Sequence, residues 1–176
     1  MAHSVMRTSR TRFTWLLINL FTAILASSVI GLFDATIEQI VALAILMPIV
    51  ASMGGNAGTQ TLTVAVRAIA MHELTAANAL RVVNKEILVG GLNGIAFAVL
   101  MGLVAALWFQ SVPLGLVIAA AMVINMLVAG LFGMLIPLAC ERVGVDPAIA
   151  AGVVLTTVTD VVGFLAFLGL AALFLL

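Results

Sequence analysis

The chain has 176 residues, of which 65% are hydrophobic and only 8% are charged, and its seven basic and seven acidic side chains leave no net charge. Soluble globular proteins carry about 25% charged residues, so the composition excludes a soluble enzyme, a disordered chain and a nucleic-acid-binding protein. The mean hydropathy of +1.35, few aromatic residues and no β-type alternation predict an all-α integral membrane protein in a lipid bilayer.

Charged residues divide the chain into apolar segments that are long enough to cross a membrane. A helix crosses the hydrocarbon core with about 20 residues, so the uncharged run 87–140 holds two crossings that part near Pro113. The sequence therefore predicts five transmembrane helices after a cytoplasmic tail of residues 1–12. Their expected bounds are about 13–33, 39–66, 87–109, 113–139 and 147–174.

The positions of the basic residues predict the orientation. All seven lie in the N-terminal tail and in the connections after the second and fourth helices, and basic residues mark the cytoplasmic side. The N-terminus and the 67–86 connection, which reads as a short interfacial helix, are therefore expected inside the cell, and the C-terminus outside. We expect a multi-pass protein of the inner (plasma) membrane. A cleaved signal peptide is the alternative for the first segment, although 13–33 is long for one.

Asp160 is the first residue that needs a functional explanation. It is the only charged residue after Asp146, and it falls near the middle of the fifth helix, where a carboxylate costs at least ~2.5–3.5 kcal/mol. Gly152, Thr156 and Gly163 recur with it at helical spacing and predict one small, polar face. Intramembrane carboxylates usually mark an ion or proton pathway, whereas a protonated, hydrogen-bonded Asp is the structural alternative.

The second helix carries an unusual run from Pro48 to Thr61. Pro48 removes a backbone donor and the pair Gly54-Gly55 weakens a helix, so free carbonyl groups are expected around Gly54, Gly55 and Asn56. The second helix runs inward and the fifth outward, which brings these residues to a depth similar to that of Asp160. Carbonyl and carboxylate oxygens favour Mg²⁺, Ca²⁺ or Mn²⁺ over soft metals; a simple kink is the alternative.

Three further residues have both a structural and a functional interpretation. Asp146 before Pro147 is typical of a helix N-cap, but it could also line the inner mouth of the same path. Glu86 opens the third helix, where the helix dipole favours a carboxylate, and it could also line the pore. Asn125 is expected to form helix–helix hydrogen bonds or to face the cavity. The third helix also shows a close-packing ridge of small residues: Gly90, Gly94, Ala98, Gly102 and Ala106.

Two of these segments resemble the MgtE family of magnesium channels. The stretch Pro48-Ile-Val-Ala-Ser-Met-Gly-Gly-Asn-Ala-Gly-Thr-Gln60 is similar to the family signature, and Thr156-Thr-Val-Thr-Asp160-Val-Val-Gly163-Phe is similar to its filter helix. The resemblance covers about 13–176 and implies a homodimer with a pore between the subunits. Asp160 of both subunits would then bind the water shell of Mg²⁺, the permeant ion and ligand. Oxygens around Gly54, Gly55, Asn56 and Thr156 would bind further waters, and residues at the inner mouth, matching Asp146 and Glu86, would form further cation sites.

The chain also departs from the resemblance. Family members usually carry an acidic cytoplasmic domain and paired CBS domains before the first helix, and residues 1–12 alone stand there in this sequence. We therefore expect those regulatory domains to be absent from this chain. Three rival functions stay open: a transporter that couples the cation to Na⁺ or H⁺, a channel for Co²⁺, Mn²⁺ or Ca²⁺, and a membrane scaffold with a structural Asp160. No nucleophile–base pair indicates an enzyme.

Overall fold

The computed structural model describes residues 5–74 and 78–176, and all regular structure in these ranges is α-helical. Five of its helices are long and apolar enough to cross a membrane, which confirms the predicted number of spans. A sixth, short helix (α2) precedes the second span. The helices are α1 Val5–Gly31, α2 Asp34–Gln39, α3 Ala42–Ala70, α4 Ala79–Trp108, α5 Val112–Arg142 and α6 Pro147–Phe174.

The helix ends differ from those expected from the charges. α1 begins at Val5, α3 continues to Ala70, and α4 begins at Ala79, so the separate interfacial helix predicted over 67–86 is wrong for the described residues of that connection. Charged side chains such as Arg67 and Lys85 are good helix formers. They mark where a helix leaves the hydrocarbon core and not where its hydrogen bonding stops.

The centre of the helix bundle is α5. It packs against α3, α4 and α6, while α1 packs mainly against α6. Apart from Asn125 and the charged residues Glu141 and Arg142 at its end, α5 is apolar on every side, which is the pattern of a helix surrounded by protein or lipid. Its fully buried side chains include Ile118, Met122 and Met134. α5 therefore holds the helices that carry the polar residues, α3 and α6.

The predicted ridge of small residues packs α4 closely against α5. A Cβ atom added at Gly90 would lie 2.7 Å from the carbonyl oxygen of Met126, and one added at Gly130 would lie 2.7 Å from that of Glu86. The same close approach recurs near the other end of the pair, between Gly102 and Gly115. These contacts are between backbones, which cannot move aside as a flexible side chain can. The ridge is thus an intramolecular packing surface.

Replacing Gly90 with alanine is expected to lower the free energy of unfolding by about 1–3 kcal/mol, because the new methyl group meets a backbone oxygen. Gly169→Ala is the matched control: it also lies inside a helix, and the nearest atom to an added Cβ is Phe33 Cζ at 3.9 Å. The control is expected to be neutral or to stabilise by up to about 1 kcal/mol. Thermal unfolding in detergent measures both, and equal melting temperatures would contradict the described α4–α5 packing.

Candidate functional site

Two contacts fix how α3 and α6 lie against each other. A Cβ atom added at Gly163 would lie 3.3 Å from Val50 Cγ1, and one added at Gly58 would lie 3.1 Å from the side chain of Leu155. The contacts are eight residues apart on each helix, from 50 to 58 and from 155 to 163, so the helices are antiparallel and in constant register. This register brings Asp160 level with Met53 and Gly54. This register agrees with the expectation that Gly54 to Asn56 and Asp160 lie at a similar depth.

One face of α3 is polar and exposed on the protomer. It consists of Ser52, Asn56, Thr59 and Thr63, which are spaced by four, three and four residues and are all exposed; we call it the α3 polar face. Asn56 Nδ2 donates to Ser52 Oγ at 3.3 Å. The Thr59 and Thr63 hydroxyls donate to helix carbonyls one turn earlier, each at 2.8 Å. The threonine oxygens thus keep lone pairs that water can use.

α3 does not open around its glycine pair, so the expectation of a weakened helix with free carbonyls is wrong. The helix is continuous from Ala42 to Ala70, which engages the carbonyl groups of this segment in helical hydrogen bonds. The carbonyl of Gly55 also accepts from the Thr59 hydroxyl. Packing against neighbouring helices offsets the roughly 1 kcal/mol that each helical glycine costs. Apart from its chain neighbours and the adjoining backbone of α3, no atom of the described residues lies within 4 Å of a Cβ placed at Gly55, so Gly55 faces open space beside α3.

α6 carries Asp160 and Thr156, neither of which is buried in the protomer. Thr156 is exposed and Asp160 is half-buried, and the Thr156 hydroxyl donates to the Gly152 carbonyl at 2.9 Å. Gly163, expected on the same face, instead turns inward and is buried. In the described ranges no group of three or more His, Cys, Asp or Glu side chains could hold a metal ion. One protomer therefore offers a single carboxylate at this depth.

Asn125 lies between α3 and α6 and not on the open side. Its side chain is 1% exposed, and its Nδ2 donates to the Val50 carbonyl oxygen at 2.9 Å. A Cβ atom added at Gly54 or at Gly163 would collide with the same amide group. The structure thus places Asn125 in the helix–helix hydrogen bond expected as its structural role.

Glu86 lies in a cleft between α3, α4 and α5. It sits in the second turn of α4, and the Thr61 hydroxyl donates to its Oε2 at 3.3 Å. The cleft has a volume of about 290 Å³, and Gln60 and Asn93 also line it. Thr61 is eight residues beyond the level of Asp160 along α3, so the two carboxylates are separated by about 12 Å along the helix axis.

Asp146 caps α6. It is the N-cap residue, its Oδ1 accepts from the Ala148 N–H at 2.9 Å, and Pro147 occupies the first turn, which confirms the predicted cap. Its side chain is exposed. Fourteen residues separate it from Asp160, or about 21 Å along the helix. The structure therefore spaces the three acidic residues along the protein and does not gather them into one cluster.

The family to which the protein belongs follows from comparison with known sequences. The model of the MgtE family, described as "Divalent cation transporter", matches residues 47–170. The chain belongs to the MgtE family. The match includes the α3 polar face, the α4–α5 packing surface and Asp160, so every candidate residue described above lies in the part that identifies the family.

Curated MgtE relatives are much longer than this chain. The protein is 33% identical to the magnesium transporter MgtE of Bacillus subtilis over 164 residues, which are 93% of this chain and 36% of that protein. It is 33% identical to the magnesium transporter MgtE of Enterococcus faecalis over 97% of this chain and 38% of the relative. For the magnesium transporter MgtE of Thermus thermophilus the values are 35%, 93% and 36%. The chain thus spans less than two fifths of each relative.

The sequence predicts a functional role for the MgtE-like segment of α3, but the expected site residues include only Asn56 of the α3 polar face. Ser52, Thr59 and Thr63 are absent from that prediction, although their spacing from Asn56 by four, three and seven residues indicates one helix face. The hydrogen bond between Thr61 and Glu86 joins residues 25 positions apart. No local pattern in the sequence signals that pair.

The packing of Gly54 against Asn125 can be tested by a double-mutant cycle. Gly54→Ala alone is expected to lower the free energy of unfolding by about 1–3 kcal/mol, because the three nearest atoms to its Cβ all belong to the Asn125 side chain. In an Asn125→Ala background the same change is expected to cost much less, since those atoms are gone. Gly55→Ala, which meets open space, is the control. Additive effects of Gly54→Ala and Asn125→Ala on the melting temperature would refute the contact.

Proposed function

We propose that this chain forms the membrane pore of a channel that admits Mg²⁺ passively into the cytoplasm, with Asp160 as the filter residue. The relatives' printed names describe magnesium transporters. The observation that supports the proposal best is the α3 polar face, which is exposed and level with the carboxylate of Asp160. A path for a cation needs such a row of oxygen atoms inside the membrane.

Two copies of the chain are needed to complete this path. Polar side chains that face lipid are costly, whereas polar side chains that line a water-filled space are tolerated. A two-fold axis next to α3 and α6 would bring two α3 polar faces and two Asp160 side chains around one aqueous passage. Two ionised carboxylates would then balance the charge of one divalent cation. The homodimer is part of the proposal for this reason.

The proposed pore passes Mg²⁺ together with its water shell. Mg²⁺ loses water reluctantly and holds it at about 2.0–2.1 Å, so the carboxylates bind the shell and not the ion. The side-chain oxygens of Asn56 and Thr156 accept further hydrogen bonds from these waters. The carbonyl of Gly55 already accepts from Thr59, so Gly55 contributes mainly by leaving room beside α3. Gly54, expected to line the pore, is buried against Asn125 and lies away from the proposed passage.

The remaining acidic residues and the basic residues define the two ends of the proposed pore. With the N-terminus inside the cell, as the basic residues indicate, Asp146 and Glu86 lie toward the cytoplasmic mouth and attract cations there. In the plasma membrane, the membrane potential favours the entry of a divalent cation by about 4.6 kcal/mol per 100 mV. Inward conduction then needs no coupled ion.

Replacing Asp160 with alanine is expected to abolish Mg²⁺ uptake, because the filter loses both carboxylates of the dimer. The measurement is Mg²⁺ flux into liposomes that contain the purified protein, with only a membrane potential imposed. Asp34→Ala removes an exposed carboxylate at the start of α2 and is expected to keep the wild-type flux. Equal flux in the Asp160→Ala variant and the wild type would rule out the proposed filter.

The same liposomes separate the rival functions. Wild-type flux that appears only with a Na⁺ or H⁺ gradient would indicate a coupled transporter. Stronger flux of Co²⁺, Mn²⁺ or Ca²⁺ in competition would indicate a channel for another divalent ion. A scaffold predicts that Asp160→Asn changes stability and nothing else.

The hydrated-ion mechanism sets the spacing of the filter. One Mg–O distance and one hydrogen bond of about 2.7 Å separate the ion from each carboxylate oxygen, so the two Asp160 carboxylates are expected up to roughly 9 Å apart across the axis. A structure of the Mg²⁺-loaded dimer measures this distance. Direct coordination of a dehydrated ion by both carboxylates would contradict the mechanism.

A further inference from the structure

Asn125 contacts both helices that form the proposed pore wall. Its amide donates to the Val50 carbonyl of α3, one turn before Gly54. The same amide occupies the space that a side chain at Gly54 or at Gly163 would fill, and Gly163 lies three residues after Asp160. Asn125 is therefore a buried polar side chain of α5 that contacts α3 beside its polar face and α6 beside Asp160.

Stability alone does not account for an asparagine at this place. Its Oδ1 is buried and has no hydrogen-bond partner among the described residues. The opposite amide orientation would set this oxygen against the Val50 carbonyl oxygen, so exchanging the two amide atoms does not relieve it. A buried acceptor without a partner is destabilising, and an apolar side chain of the same branched shape avoids that penalty.

We infer that Asn125 is a positioning residue that sets the register between α3 and α6 and thereby holds Asp160 level with the α3 polar face. The inference rests on the proposed function, because the filter is formed only in that function. Asn125 does not touch the ion; it acts on α3 through the Val50 carbonyl and on α6 through Gly163.

The geometry explains why one amide is sufficient for this role. The two glycines let both α3 and α6 approach the amide closely, and its hydrogen bond to α3 is directional. A slide of one helix by a single residue is about 1.5 Å. Such a slide would shift the Asp160 carboxylate relative to Asn56 by half the length of a hydrogen bond, which is enough to alter how well the pore fits one hydrated ion over another.

Asn125→Leu tests the inference because leucine has the same branching but neither donates nor accepts a hydrogen bond. The melting temperature and the ratio of Mg²⁺ to Ca²⁺ flux are measured in proteoliposomes, beside the wild type and Asp160→Ala. We expect an unchanged or higher melting temperature and a loss of discrimination of about fivefold, the ratio that corresponds to one hydrogen bond. Met122→Leu changes another fully buried α5 side chain and is expected to leave both quantities at wild-type values.

A second variant keeps the test decisive if leucine prevents folding. Asn125→Ala only removes atoms, and it is expected to lose discrimination in the same way, since the flux ratio is a property of the folded molecules alone. Normal wild-type flux with unaltered discrimination in both variants would overturn the inference and leave the proposed function intact. Absence of Mg²⁺ flux in the wild type would overturn the proposed function and, with it, the inference.

Discussion

The absence of water from the hydrocarbon core of a membrane is the constraint on which this structure depends. Every polar group at that depth needs a protein partner or an aqueous space. Most of the chain meets the demand with apolar side chains and continuous helices. The exposed α3 polar face and the half-buried Asp160 do not, because their side chains are polar. The proposed second copy and the water between the two copies satisfy these groups.

The packing of the other helices supports this arrangement. Close contacts between the backbones of α4 and α5, centred on Gly90 and Gly130, pack these two helices tightly together. α5 then holds α3 and α6 in one register through Asn125 and through glycines that face it. α3 and α6 carry the polar residues of the proposed pore. Their contacts with α5, on the side away from the ion, thus set the register between them.

The sequence was sufficient for the parts of the fold that depend on composition and period. Runs without charged residues predict the five spans, and the repeat of small residues predicts the ridge that packs α4 against α5. The single carboxylate in the last apolar segment marks Asp160 as a candidate site residue. The helix ends were missed because charges mark the membrane boundary and not the end of hydrogen bonding. The continuity of α3 at Gly55 and the burial of Asn125 depend on contacts with other helices, which local propensity does not contain.

The accessibility of the α3 polar face to water is the most direct test of the account. In a Cys140→Ser background, Ser52→Cys and Asn56→Cys are treated with a membrane-impermeant thiol reagent, with Leu92→Cys as control. Leu92 is 70% exposed, and the packing of Gly90 and Gly94 against α5 brings it to the depth of Asn125. The account predicts rapid labelling at 52 and 56, slowed by Mg²⁺, and none at 92. Labelling at 92 as fast as at 56, or none at either position of the polar face, would contradict it.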